Sequence, residues 1–317
     1  MIFQFHHVAS DGLGAFGFVR DVIKILNNPE LPEELRDTSR VVERYDLGYG
    51  RDSIFQMARR QMRALRASVA LSAKAVPLIP HEIDCNTVRN PLVSHTTKTL
   101  SSRETSALKV AAQNAGVSVN TLLLRDTFVA LDRFRRDHGI CQKDGWLRIA
   151  VPGSIRRQKS NLGLPAGNHF SMTFPAHPPE RIAQPDNLLH AIHKEIKAAR
   201  NDYYLATFLL SLRVLQTMPW ALKKMVSEQS CHATMLMTNM GTPFSSSAEP
   251  VKVTHATITD VDVVTPMRPH QTISMSATEY VGQQRLTLAY DSVHHSHDTA
   301  TEILDRVMAV LRASAKT

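Results

Sequence analysis

Residues 6–12 have the sequence HHVASDG, two adjacent histidines followed after a three-residue spacer by Asp-Gly. The preceding residues 2–5 (Ile-Phe-Gln-Phe) are mostly apolar, which predicts a short strand buried in a sheet. Asp11-Gly12 ends that strand, and apolar residues at helical spacing predict a helix over 13–26, which Asn-Asn-Pro at 27–29 terminates. The two histidines are therefore expected at a junction between a strand and a helix.

This segment contains residue types suited to proton transfer. Successive strand residues point to opposite faces, so one of His6 and His7 can face a cavity while the other packs against the opposite layer. A neutral imidazole at the end of a buried strand is a suitable general base near neutral pH for an alcohol, amine or thiol. Asp11 can hold the turn by accepting backbone N–H bonds or by pairing with an arginine, and Gly12 leaves space for substrate. The alternative is a structural or incidental histidine pair.

Length and composition indicate an ordinary globular protein. The 317 residues are 43% apolar and 21% charged, and they suffice for one large domain or two lobes. No apolar stretch approaches the roughly 18 residues that span a bilayer, and the N-terminus lacks the basic region of a secretory signal. Three widely separated cysteines form no disulfide framework, so a reducing cytoplasm is expected; they are Cys85, Cys141 and Cys231.

The net charge of +8 favours anionic partners such as CoA phosphates, acidic carrier proteins and membrane surfaces. The chain has no zinc-finger spacing, aromatic RNA-binding motif or basic tail, and we therefore expect no nucleic-acid binding.

The rest of the chain mixes helical and strand patterns without strict alternation, which predicts an α/β or α+β sandwich rather than a Rossmann sheet. Helices are predicted over 53–76, 101–115, 120–138, 186–228 (interrupted near Pro219) and 299–313. Strands are predicted over 147–151, 168–174, 233–238, 252–264, 271–278 and 285–290, after an extended stretch over 86–100. Ser101 or Ser102, with Glu104, predicts the cap of the helix that follows.

Residues 6–12 resemble the HHxxxDG motif of the chloramphenicol-acetyltransferase-like superfamily, which includes peptide-synthetase condensation domains and bacterial wax ester synthase/diacylglycerol acyltransferases. Four later segments resemble the wax ester synthase group, in the same order along the chain. They are GVSVNTLLL (116–124), IAVPGSIR (149–156), GNHFS (167–171) and MTNMGTP (237–243). Thr121 replaces an Asp of the family pattern, and Met240 and Thr242 depart from its Asn-Val-Pro-Gly-Pro segment.

The resemblance implies an α/β (α+β) two-lobe sandwich with an incomplete first lobe. Residues 1–150 would be the remnant of the N-terminal lobe, and residues 151–317 the C-terminal lobe. Relatives carry a substantial region before HHxxxDG, whereas here the motif begins at residue 6. The reading frame is truncated, or another chain supplies the missing part, or the protein is a reduced and inactive relative. These explanations stay open.

The resemblance also implies a reaction, the attack of an acceptor hydroxyl or amine on an acyl thioester carried by CoA or by a phosphopantetheinyl carrier protein. The expected product is an ester of a hydrophobic alcohol, and the expected location is cytoplasmic or membrane-peripheral. Condensation with carrier-bound substrates is one alternative. The other is a non-catalytic or incomplete lobe that binds a partner chain or an acyl carrier.

Within the catalytic motif His6, His7, Asp11 and Gly12, His7 is the expected general base and Asp11 an architectural residue. Asn168 and Asn239 are candidate substrate-binding residues that would line the tunnel and donate to a developing oxyanion. Alternatively, their side chains satisfy turn backbone. No metal or redox cofactor is expected, since the thioester is itself the substrate.

Residues 294–298 (HHSHD) superficially resemble a metal cluster. No matching set of ligands at a known spacing occurs elsewhere in the chain. The favoured interpretation is the start of the closing helix, capped by Ser296 or Asp298.

The predicted helix over 53–76 is basic and amphipathic. Its cations are Arg59, Arg60, Arg63, Arg66 and Lys74, and its apolar face contains Phe55, Met62 and Leu65. Such a helix can lie on an anionic membrane surface. The favoured alternative is a helix that packs its apolar face on the core and leaves its arginines solvated.

Changing Arg59, Arg63 and Arg66 together to Glu tests the membrane interpretation. If the helix binds an anionic surface, the variant should lose co-sedimentation with anionic liposomes because attraction becomes repulsion. Zwitterionic liposomes are the control for binding that does not depend on charge. Unchanged sedimentation of the variant would exclude this helix as a membrane contact.

Overall fold

The structure is a computed structural model, and it describes residues 1–7, 9–28, 59, 62, 75–80, 92–140, 145–155, 168–201, 216–220, 232–244, 249–267 and 271–316. Within these residues the first elements with defined bounds are helix α1 (Gly12–Asn27), strand β1 (Val93–Leu100) and helices α2 (Ser102–Asn114) and α3 (Val119–Asp137). Next come strands β2 (Leu147–Ser154), β3 (Phe170–Thr173) and β4 (Ala176–His177), and helices α4 (Pro179–Ile182) and α5 (Pro185–Asn201). The last part contains strands β5 (Met235–Gly241), β6 (Lys252–Val253), β7 (Ala256–Thr257), β8 (Ile273–Tyr280) and β9 (Gln283–Asp291), and helix α6 (His297–Ser314).

One mixed sheet organises the described residues. Its successive neighbours are β1, β9, β8, β5, β2 and β3, and β4 also pairs with β2. The β8–β5 and β5–β2 pairs are parallel, whereas the other pairs are antiparallel. A mixed sheet packed with helices confirms the α/β fold predicted from the irregular order of helical and strand patterns.

The core lies between one face of this sheet and the helices. Ile149, Met275 and Leu286 are fully buried on that face, and Phe128 of α3 and Leu304 of α6 belong to the same apolar cluster. Apolar side chains at every second strand position meet apolar helix stripes, and burying them is the main stabilising contribution. The core takes residues from both sides of position 150, and the division into lobes at that position stays a prediction.

The opposite face of β8 and β9 carries hydroxyl groups. Ser274 Oγ accepts a hydrogen bond from Thr265 Oγ1 at 2.6 Å, and Ser276 Oγ donates to the carbonyl of Val263. Their partners, Thr265 and Val263, belong to a strap, residues 258–265, which crosses this face. Arg285 of β9 pairs with Asp260 and Asp262 of the strap, with 2.9 Å between Arg285 Nε and Asp262 Oδ1. The strap is therefore held by polar contacts.

The N-terminal caps of helices α2 and α6 are residues that the sequence predicted for this role. Ser101 and Glu104 form a reciprocal capping box at α2. Ser296 caps α6 by accepting from Thr299 N at 3.1 Å, which confirms the helix-start interpretation of residues 294–298. Among the described residues, no group of three or more His, Cys, Asp or Glu has an arrangement that would hold a metal ion.

Two predicted strands are wrong. Residues 2–5 form no strand, and Ile2 is 95% exposed. The predicted strand over 252–264 contains only the short β6–β7 hairpin, after which the chain continues as the strap. Both stretches have apolar or β-branched residues but form no ladder with the main sheet in the described structure. Strand β2, conversely, continues to Ser154, beyond the predicted end at 151.

The predicted helix over 53–76 lies almost wholly outside the described residues. Within it, Arg59 and Met62 are helical, and the Met62 side chain is 56% exposed. Ala75 instead forms a parallel bridge with Trp146, so the helix does not extend to Val76 as predicted. No helix in the described ranges combines the length and apolarity needed to cross a bilayer.

A buried histidine gives a pH-dependent prediction. His177 is fully buried against the ring of Phe128, 5.1 Å between centroids, and burial lowers its pKa from 6.5 to about 4, with Arg181 contributing. Glu195 lies 3.7 Å away, but burial raises its own pKa to about 7, so between pH 6.5 and 4 it is largely neutral and gives an imidazolium little support. In the unfolded chain His177 takes up a proton near pH 6.5, whereas in the folded chain it does so only near pH 4. Through this residue, acidification from pH 6.5 to 4 should therefore lower the free energy of unfolding by about 3 kcal/mol.

Replacing His177 by Phe should remove this contribution to acid destabilisation. The measurement is the urea midpoint of the full chain between pH 4.5 and 7.5. The control is His190→Phe, at an exposed histidine, which should leave the dependence of the urea midpoint on pH unchanged. An H177F variant with the wild-type pH slope would contradict the assignment.

Candidate active site

The carboxylate of Asp11 joins two parts of the chain. Asp11 is the N-cap of α1, and its Oδ1 accepts from Gly14 N at 2.9 Å. Its Oδ2 accepts from His169 N at 2.8 Å, immediately before β3. Asp11 is only 5% exposed; its bond to Gly14 N is buried, and its bond to His169 N is partly buried. One buried anion therefore fixes the start of α1 to the start of β3.

A second contact holds His7. The side-chain amide of Asn168 donates to the His7 carbonyl oxygen at 2.7 Å. The His7 ring lies 5.2 Å from the Phe170 ring, tilted by 45°, and the residue is exposed to solvent. The main chain of His7 is thus anchored while its imidazole is accessible.

The environment of the histidines differs from the one predicted. His6 and His7 are both exposed, and neither belongs to a strand. Ala9 N donates to the His6 carbonyl at 2.8 Å, which closes a turn before α1. The expectation that the two rings face opposite layers is therefore wrong, because it assumed a strand that does not form.

Gly12 lies where another element approaches closely. A side chain at position 12 would collide with the end of the Met240 side chain, Cε and Sδ. The room beside Gly12, which the sequence assigned to substrate, is occupied by this methionine. Met240 is one of the positions that depart from the family pattern, and its contact with Gly12 was not predicted.

Asn239 lies beside Met240 on β5. Its Oδ1 accepts from Gly241 N at 2.9 Å, and Gly241 has φ +61°. The pairing of β5 with β8 shifts register between Asn239 and Gly241. The Asn239 oxygen satisfies turn backbone here, as the structural alternative predicted. Its assignment as a substrate-binding residue stays a prediction, as does that of Asn168.

The structure thus brings most of the predicted site residues together. Asn168 contacts the His7 main chain, and Gly12 lies against the residue that follows Asn239. The contribution of the His169 N–H was not predicted, because a main-chain donor has no sequence signature. The contact between the Phe170 ring and the His7 ring was also not predicted, because an apolar side chain in a predicted strand is expected to pack in the core.

Replacing Asp11 by Ala should both destabilise the chain and disturb His7. Two N–H donors, one buried and one partly buried, lose their acceptor, and we expect a loss of about 2 kcal/mol in unfolding free energy. Ser296→Ala, which removes a cap with one acceptor contact to a backbone N–H, should cost about 1 kcal/mol. The measurements are urea unfolding and the NMR ring resonances of His7. Resonances that shift equally in S296A, or not at all in D11A, would contradict the anchoring role.

Residues 166–309 match the family model of the WS/DGAT C-terminal domain, the wax ester synthase/diacylglycerol acyltransferase group. This range contains Asn168 and Asn239 but not the HHxxxDG segment. No curated protein sequence matches the chain.

Several solved structures share the fold. The epimerization domain of the third module of tyrocidine synthetase B is 13% identical, with a TM-score of 0.64 over 98% of this chain and 68% of that one. The first condensation domain of the calcium-dependent antibiotic synthetase is 14% identical, with a TM-score of 0.64 over 98% of this chain and 63% of that one.

A third structure is an acetyltransferase rather than a synthetase domain. Trichothecene 15-O-acetyltransferase from Fusarium sporotrichioides is 13% identical, with a TM-score of 0.67 over 96% of this chain and 64% of that one. The chain thus spans roughly two thirds of the length of these structures. It has the fold of the condensation-domain superfamily, and its residues 166–309 match the WS/DGAT C-terminal domain.

Proposed function

We propose that this chain transfers an acyl group from a thioester to a hydroxyl acceptor, with His7 as the general base. The fold and the family match support acyl transfer as the class of reaction. The observation that carries the more specific proposal is the anchoring of the HHxxxDG segment. Asp11 and Asn168 tie this segment to the start of β3, and the His7 imidazole stays accessible to an acceptor.

In the proposed reaction the neutral imidazole of His7 accepts the proton of the acceptor hydroxyl as its oxygen attacks the thioester carbonyl. The new C–O bond forms first, and the tetrahedral oxyanion then collapses with cleavage of the C–S bond. The imidazolium returns its proton to the departing thiolate. The products are an ester and a free thiol, and His7 is restored to its neutral form.

Asp11 has no part in this proton transfer. Both of its oxygens accept main-chain N–H bonds, which fits a residue that orients the segment. Asn168 is proposed to hold the base through the His7 carbonyl. For Asn239, a place beside the substrate remains part of the proposal.

The donor is proposed to be acyl-CoA or an acyl carrier protein. A net charge of +8 attracts CoA phosphates and acidic carriers alike. The peptide-synthetase domains among the structural relatives support a carrier-bound donor, and the WS/DGAT match supports a hydrophobic alcohol as acceptor. We propose a cytoplasmic or membrane-peripheral location for this reaction.

A binding role for the same region is the second candidate. Ile2 is 95% exposed, Phe3 36% and Phe18 52%, and the Phe3 and Phe18 rings meet edge to face with centroids 6.5 Å apart. Exposed apolar clusters of this kind often mark interaction surfaces. The corresponding function is a non-catalytic lobe that binds a partner chain or an acyl carrier beside the HHxxxDG segment.

Thiol release from acyl-CoAs of several chain lengths, with a panel of alcohols, tests the proposal. Acceptor-dependent release should fall at least ~100-fold in kcat in His7→Ala, the scale expected for removal of a general base. His190→Ala, an exposed histidine on α5, is the matched control. Activity of H7A equal to wild type would exclude His7 as the base. A wild-type chain inactive with CoA and carrier thioesters would favour the binding role.

A further inference from the structure

The β6–β7 hairpin, residues 252–257, contacts the C-terminal end of α1. The Asn27 side chain donates from Nδ2 to the Lys252 carbonyl at 2.8 Å and accepts through Oδ1 from Thr254 N at 2.7 Å. Thr254 Oγ1 also donates to the Leu26 carbonyl at 3.0 Å. One amide side chain therefore bridges segments more than 220 positions apart in sequence.

The tip of this hairpin has an unusual backbone. Thr254 has φ +49°, a left-handed conformation that β-branched residues rarely adopt. Such a conformation persists where surrounding contacts hold it. Here the Thr254 N–H and hydroxyl are both engaged by the end of α1.

Tyr280, the last residue of β8, holds the base of the same hairpin. Its hydroxyl oxygen accepts from Val251 N at 2.8 Å and donates to the Ile258 carbonyl at 2.8 Å. The two arms also bond to each other, with Ile258 N donating to the Val251 carbonyl at 2.9 Å. Tyr280 is 6% exposed, and its two hydroxyl bonds are partly buried.

The Tyr280 ring also reaches α1 by a second route. Tyr280 packs edge to face on Phe244 with centroids 6.1 Å apart, and Phe244 packs edge to face on Phe16 of α1 at 5.6 Å. The middle of α1 is thus supported by aromatic contacts, and its end by Asn27. The start of α1 is fixed separately by Asp11.

We infer that Tyr280 and Asn27 are positioning residues, which hold α1 against the sheet through the β6–β7 hairpin and thereby place the HHxxxDG segment. Neither residue touches the His7 ring. They act by preventing α1 from moving relative to the sheet. This matters for the proposed reaction because a small displacement of a general base sharply reduces its efficiency. The catalytic consequence rests on the proposed function, whereas the structural consequence does not.

Hydrogen exchange of the α1 amides in the full chain tests the structural part. Tyr280→Phe keeps the ring and removes both hydroxyl bonds, and Asn27→Ala removes the contact at the helix end. Each should speed exchange within α1 about tenfold or more. Tyr290→Phe is the matched control, since the Tyr290 hydroxyl contacts His297 at 3.1 Å instead. Unchanged α1 exchange in both Y280F and N27A would overturn the inference.

The double variant tests whether both residues act through one hairpin. Y280F/N27A should then exchange little faster than the more affected single variant, because the contacts are not independent. If the increases in α1 exchange rate in the two single variants multiply in the double variant, the two residues do not act through one hairpin, and this part of the inference is overturned.

Kinetics separate this inference from the proposed function. Both single variants should lower kcat several-fold with KM for acyl-CoA nearly unchanged, while Tyr290→Phe retains wild-type values. Faster exchange with an unchanged kcat would overturn the positioning role. A wild-type chain without acyl transfer would instead overturn the proposed function, and the exchange experiment would still decide whether Tyr280 and Asn27 hold α1.

Discussion

The buried carboxylate of Asp11 is the contact on which the candidate site depends. It accepts one bond from the first turn of α1 and one from the backbone that leads into β3. A serine or threonine cap offers one oxygen, and an asparagine offers one acceptor and one donor, so none replaces both bonds. A carboxylate supplies both acceptors, and its negative charge is favoured at a helix N-terminus. This explains why an acid suits the position even if it moves no proton.

The two faces of the sheet determine where such a site can lie. One face is largely apolar and is covered by α3 and α6. On the other side, Thr265 of the strap bonds to Ser274, and Met240 of β5 lies against Gly12 of α1. On this side, the strap and the start of α1 are therefore attached through individual polar or close contacts. Individual contacts are easily lost, so the placement of His7 depends on several of them acting together.

The sequence allowed the main elements of the fold to be predicted, because local signals define them. Ser101 with Glu104 marked a helix start, and the long apolar periodicity of residues 120–138 marked a helix. The predicted strand at residues 2–5 failed because apolar composition alone does not show whether a partner strand exists. The contact of Asn27 with Lys252 was not predictable at all. It joins positions whose neighbours in sequence carry no complementary pattern, and only the folded chain brings them together.

The matched domain and the proposed base occupy different parts of the chain. The family match covers residues 166–309, whereas His7 lies far outside it. Yet the groups that hold the HHxxxDG segment come from inside that range: Asn168, the His169 N–H, Met240 and the hairpin that Tyr280 supports. A domain match alone therefore says little about whether the base is placed to react. The position of His7 depends on how the first 28 residues contact the C-terminal half. A change that weakens these contacts would displace the proposed base without altering a residue of the motif.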